Sequence, residues 1–163
     1  MTAARRQRKS SLVLAVVLGT VLSLGALAAP ASARDPIVVN AQTGLALSGF
    51  DPVAYFTDGK PKQGRVEMEW SRDGVVWRFA NEGNKAAFGE NPDVYTPRFG
   101  GYDPVAIARG ASVPGHPLFW AVIGERLYLF YDDATRAAFV ADPGRIIESA
   151  ERRWPEVERT VSR

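Results

Sequence analysis

The chain has 163 residues, no cysteine and one histidine, and it carries 20 Lys and Arg against 18 Asp and Glu. Four of those basic residues fall in the first 33 positions, which hold no acidic one, so the remainder is slightly acidic, with 16 basic groups against 18. This composition excludes disulfides, thiolate catalysis and thiolate metal sites. Without a cationic face it also argues against nucleic acid as a partner.

In chain order, the first segment has three parts. Arg5, Arg6, Arg8 and Lys9 form a positive start, residues 12–29 are apolar and uncharged, and Ala31-Ser32-Ala33 offers a small-x-small cleavage site. Residues 1–33 are therefore expected to be a secretory signal peptide. The rival is an uncleaved anchor, but Gly19, Thr20, Ser23 and Gly25 dilute the apolar run, and a spanning helix wants about 20 strongly apolar residues. A twin-arginine route is disfavoured because Gln7, Arg8 and Lys9 follow the Arg5-Arg6 pair. The expectation is an exported protein, periplasmic or secreted, with no membrane contact after cleavage. Residues 34–44 read as a lead-in.

Beyond the lead-in the chain repeats itself. Ser48-Gly49-Phe50-Asp51-Pro52-Val53-Ala54 recurs as Gly100-Gly101-Tyr102-Asp103-Pro104-Val105-Ala106. Trp77-Arg78-Phe79 matches Tyr128-Leu129-Phe130, Lys85-Ala86-Ala87-Phe88 matches Arg136-Ala137-Ala138-Phe139, and Asn91-Pro92 matches Asp142-Pro143. The first match and the later ones differ in offset by one residue, which predicts a single deletion in a loop. Repeats of this kind mark duplicated structural units, expected over about 48–97 and 100–150.

Each unit reads as helix, hairpin, helix. Asp51-Pro52 and Asp103-Pro104 are helix starts, where the carboxylate accepts from first-turn amides and proline loses no hydrogen bond. Thr57-Asp58-Gly59 and Arg109-Gly110 end those helices. The first hairpin is expected over 65–70 and 75–79, with Ser71-Arg72-Asp73-Gly74 as the turn. The second is expected over 118–123 and 127–131, around Gly124-Glu125-Arg126. Second helices open at Asn81 or Glu82 and at Asp132, and close at Asn91-Pro92 and Asp142-Pro143. A last helix over 145–153 ends at Trp154-Pro155, leaving 156–163 as a tail. A lone hairpin is marginal, so the expectation is one α+β domain over 45–155, with the two hairpins side by side in one small antiparallel sheet packed with helices.

From Leu45 to about Trp154 the chain resembles the YHS-domain family, in particular its small exported bacterial members. The resemblance rests on Leu45-Ala46-Leu47-Ser48-Gly49-Phe50-Asp51-Pro52-Val53-Ala54-Tyr55-Phe56, Val76-Trp77-Arg78-Phe79, Phe88 with Asn91-Pro92 and Tyr95, Phe99-Gly100-Gly101-Tyr102, Trp120 and Leu127-Tyr128-Leu129. It implies a module whose metal-handling relatives use cysteines. Those positions fall here at Ala80 and Asn84 in unit one and at Tyr131 and Thr135 in unit two. A further family cysteine, after Gly-Gly-Tyr, falls at Asp103. The framework is kept and the thiols are absent.

Five residues stand out as ligand-binding candidates. Asp51 and Asp103 hold equivalent positions, as paired carboxylates for acid/base or hard-metal chemistry or as plain helix caps. His116, in Pro114-Gly115-His116-Pro117, has no second imidazole to complete a typical transition-metal set. Tyr55 and Tyr102 lie beside the Asp-Pro motifs and are suited either to a ligand pocket or to the core. No nucleophile motif is present and no cofactor is expected, although a hard or borderline metal ion on Asp51, Asp103 and His116 stays open. The leading expectation is an exported, non-catalytic binding or accessory module for a small molecule, a metal ion or a protein partner. The alternatives are metal handling through oxygen and nitrogen ligands, and a small Asp/His enzyme.

Overall fold

The computed structural model describes residues 36–72 and 74–162. The expected signal peptide lies outside them. Among the described residues, no helix is long and apolar enough to cross a membrane.

The first unit opens on a 3-10 turn, Leu47–Gly49, and a short helix α1, Ala54–Thr57. Strands β1 (Arg65–Arg72) and β2 (Val75–Phe79) follow, then helices α2 (Glu82–Glu90) and α3 (Pro92–Tyr95). The second unit repeats the order, with a 3-10 turn at Arg98–Gly101, α4 (Pro104–Ile107), β3 (His116–Ile123), β4 (Arg126–Phe130), α5 (Asp133–Ala141) and α6 (Pro143–Val161). The α+β class is as expected. The single sheet is not: β1 pairs only with β2 and β3 only with β4, giving two antiparallel two-stranded sheets.

Both strand pairs run closer to their turns than expected. Arg72 pairs with Val75 and Ile123 with Arg126. Two-residue turns need positive backbone angles, and Gly74, Gly124 and Glu125 supply them at φ 80°, 57° and 57°. Arg72 and Arg126 are therefore strand residues, not turn residues.

The duplication is structural down to single contacts. The Trp77 and Phe79 rings lie 5.0 and 5.2 Å from Phe88, and those of Tyr128 and Phe130 lie 4.9 and 5.0 Å from Phe139. Gly64 donates to Gly49 O and Gly115 to Gly101 O, both at 2.9 Å. A Cβ on Gly64 would sit 2.4 Å from that of Arg78, and one on Gly115 2.5 Å from that of Leu129, so neither position admits a side chain. Divergence is compensated: Trp70 lies over Gly89, where a Cβ would come within 2.3 Å of its ring, whereas the equivalent pair in the second unit is Ala121 and Val140.

One strand joins the halves. On β4, Leu127 and Leu129 enter the first unit's core beside Trp77, Phe79 and Phe88. The alternate residues Tyr128 and Phe130 enter the second unit's core beside Phe139, Ile146 and Trp154. A strand buried on both faces serves two cores at once.

The expected stop at Trp154-Pro155 is overturned, since α6 continues through Pro155 to Val161. Ile146, Ala150, Trp154 and Val157 share its buried face, and Trp154 packs on Phe99 and Tyr102 at 5.6 and 5.9 Å. That burial outweighs the roughly 3 kcal/mol an interior proline costs. The supposed tail is therefore part of the fold.

Candidate functional site

Asp51 and Asp103 are both 0% exposed. Asp51 Oδ1 accepts from the amides of Val53 (2.8 Å) and Ala54 (3.4 Å), and its Oδ2 accepts from the Ala80 amide and Asn84 Nδ2, both at 2.7 Å. Asp103 repeats this. Its Oδ1 accepts from Val105 (2.7 Å) and Ala106 (3.4 Å), and its Oδ2 from the Tyr131 amide (2.9 Å). Each carboxylate thus ties the start of its unit's first helix to the end of its hairpin. A buried charge is tolerable when several donors face it, and here the donors are amides instead of a cation. Asp103 is the N-cap of α4 as read, whereas Asp51 holds the amides just before and at the start of α1, whose N-cap is Val53, and both use a second oxygen that the sequence did not reveal.

Ala80 and Asn84, where the resemblance would place cysteines, thus both donate to Asp51. In unit two, Tyr131 donates its amide to Asp103, and Thr135 belongs to the capping box that Asp132 closes. Ala80, Asn84, Tyr131 and Thr135 offer no thiolate, and the adjacent carboxylates already hold three or four donors. A thiolate-type metal site does not fit these residues. Among the described residues, no three of His, Asp and Glu come together in a group that would hold a metal ion, so Asp51, Asp103 and His116 do not form one.

His116 begins β3 and is exposed. Its Nδ1 accepts from the Leu118 amide at 3.2 Å, which puts the neutral ring's proton on Nε2. It borders a recess of about 180 Å³ with Ser48 and Gly101. Tyr55 is core, as its bulk suggested. It lies edge-on to Trp120 at 5.3 Å and donates its hydroxyl to Pro117 O at 2.9 Å. Burial first, and the Asp51 charge second, push its phenol well above the ordinary range. Tyr102 is half-buried against Trp154, and burial raises its phenol too.

A larger recess than the one beside His116 lies elsewhere. A cleft of about 510 Å³ opens between the first hairpin and the chain that links the units, and neither aspartate lines it. Its walls are Arg72, Val75 and Trp77 of the hairpin, Asp93, Thr96, Pro97 and Arg98 of the link, Arg126 of β4, and Pro36 and Ile37 of the lead-in. Asp93 organises two of the arginines: Arg126 Nη1 donates to its backbone oxygen at 2.6 Å, and Arg72 Nη2 lies 4.0 Å from its carboxylate. Arg98 pairs with Glu151 at 2.8 Å. The sequence reading missed these arginines because it placed Arg72 and Arg126 inside turns. Reading Asp73-Gly74 and Gly124-Glu125 as two-residue turns would have moved both onto strand ends.

Comparison with protein-family models, with curated proteins and with solved structures finds no match to this chain.

Proposed function

We propose that the chain is an exported, non-catalytic binding module of the YHS type, and that its ligand enters the arginine-walled cleft and not the carboxylate positions. The observation that carries this reading is the saturation of Asp51 and Asp103. A general base or a hard-metal ligand needs a reachable lone pair, and both carboxylates are fully buried and already accept from three or four donors. The cleft has the volume and mixed lining of a small-molecule site. Export rests on the three-part N-terminal segment, and the family reading on the duplicated motif.

Calorimetric titration of the purified protein with copper, zinc, calcium and ferrous iron tests the reading. No stoichiometric heat is expected that Asp51→Asn, Asp103→Asn or His116→Ala removes. A one-to-one binding heat abolished by any of these substitutions would instead establish metal handling.

A further inference from the structure

The charges around the cleft are unequal. Among the described residues, three guanidinium groups line it against one carboxylate, and the Asp93 side chain is 94% exposed, so it neutralises little of the field inside. Arg98 already spends its charge on Glu151. Arg126 differs. It donates to a main-chain carbonyl and, among the described residues, has no carboxylate partner. A guanidinium offers five donors in a planar fork suited to a carboxylate or phosphate. Most of that fork is unspent at the cleft wall.

The rest of the lining is mostly apolar. Val75 and Ile37 line the cleft half-buried, with only an edge of Trp77, whose ring is otherwise buried against Phe88 at 3% exposure. A volume of about 510 Å³ suits a compact organic molecule. A cationic fork beside an apolar wall selects a ligand with an acidic head and an apolar body.

We infer that the cleft binds a small organic anion, its carboxylate or phosphate head held by Arg126 with Arg72 alongside, and its apolar body laid on Val75 and Ile37. This rests on the binding-module reading and adds the chemical class of the ligand. The arginine fork selects an acidic head, and the wall of Val75 and Ile37 selects an apolar body. Removing either half weakens the complex.

Titration calorimetry on the full chain tests this with phenylacetate, phenyl phosphate, acetate, inorganic phosphate and the neutral 2-phenylethanol. At least one aromatic anion is expected to bind saturably, and the tighter of the two names the head. Acetate, inorganic phosphate and 2-phenylethanol are each expected to bind weaker than the matching aromatic anion by roughly tenfold or more, the scale of one charge-assisted contact or one buried ring. Arg126→Gln is expected to cost roughly tenfold or more, and Arg126→Lys less, because lysine keeps the charge and loses the fork. If Arg126→Gln shifts the melting temperature, the Arg126→Lys and Arg72→Gln proteins carry the comparison. The inference is overturned if neither aromatic anion binds, if the arginine variants bind like the parent, or if 2-phenylethanol binds as tightly as the anions. Conversion of a probe, followed by NMR in the same samples, would overturn the non-catalytic reading and leave the ligand assignment standing.

Discussion

At the scale of single residues, the duplicated aspartates show how a buried charge becomes a fastener. Each replaces what would otherwise be several unpaired amides at a helix start and a strand end, and leaving such donors unpaired costs about 1–3 kcal/mol apiece. Tyr55 is the other residue with a measurable signature. Its phenol is neutral when protonated, and burial holds the proton on it in the folded state above the usual value. The unfolded chain releases that proton near pH 10, so above this pH the folded state binds more protons than the unfolded one. The contribution of Tyr55 to stability is then flat below about pH 10 and falls as the pH rises further. Tyr55→Phe is expected to lose about 1–3 kcal/mol at neutral pH, because Pro117 O loses its donor. It is also expected to show a shallower alkaline decline, which urea melts across the alkaline range would measure. The decline does not vanish, since burial also raises Tyr102 and Tyr128.

At the scale of elements, the hairpins and short helices were legible because their signals are local. Aspartate before proline, an Asp-Gly step and alternating strands each specify geometry within a few residues. The errors arose where tertiary packing decides. The sequence around Pro155 reads as a stop, yet Trp154 and Val157 are buried on one face with Ile146 and Ala150 and hold the helix through it. Pro155 itself is exposed, so Pro155→Ala removes strain and loses little packing. It is expected to raise stability by about 1–3 kcal/mol, read from the urea midpoint. A loss of stability would mean that the proline directs the path of the helix. Whether two hairpins share a sheet was likewise not local information. It depends on β4, whose Leu127 and Leu129 join the first core, with Trp120 and Val122 of β3 packed against it.

At the scale of the whole molecule, the internal repeat was the most informative signal in the sequence, and it survives as matched ring distances and matched carboxylate bonds. The one-residue change of offset lies between Ala54/Ala106 and Lys62/Val113, because Asp51 N donates to Lys62 O and Asp103 N to Val113 O at the same 2.8 Å. This places it in the first helix or the loop after it. The cleft was not legible, because it is built where the repeat is broken. Arg72 and Val75 of the first hairpin correspond to Ile123 and Arg126 of the second, so the arginine sits on opposite strands in the two units and no motif repeats. Function in this account therefore lies in the asymmetry, and the symmetric positions hold the fold.

One paired measurement tests that division directly: urea stability and phenylacetate or phenyl phosphate affinity in the Asp51→Asn, Asp103→Asn and Arg126→Gln proteins. The aspartate variants are expected to lose about 2–4 kcal/mol of stability with unchanged affinity. Arg126→Gln is expected to keep its stability and lose roughly tenfold or more in affinity. Aspartate variants of unchanged stability that no longer bind would contradict the account.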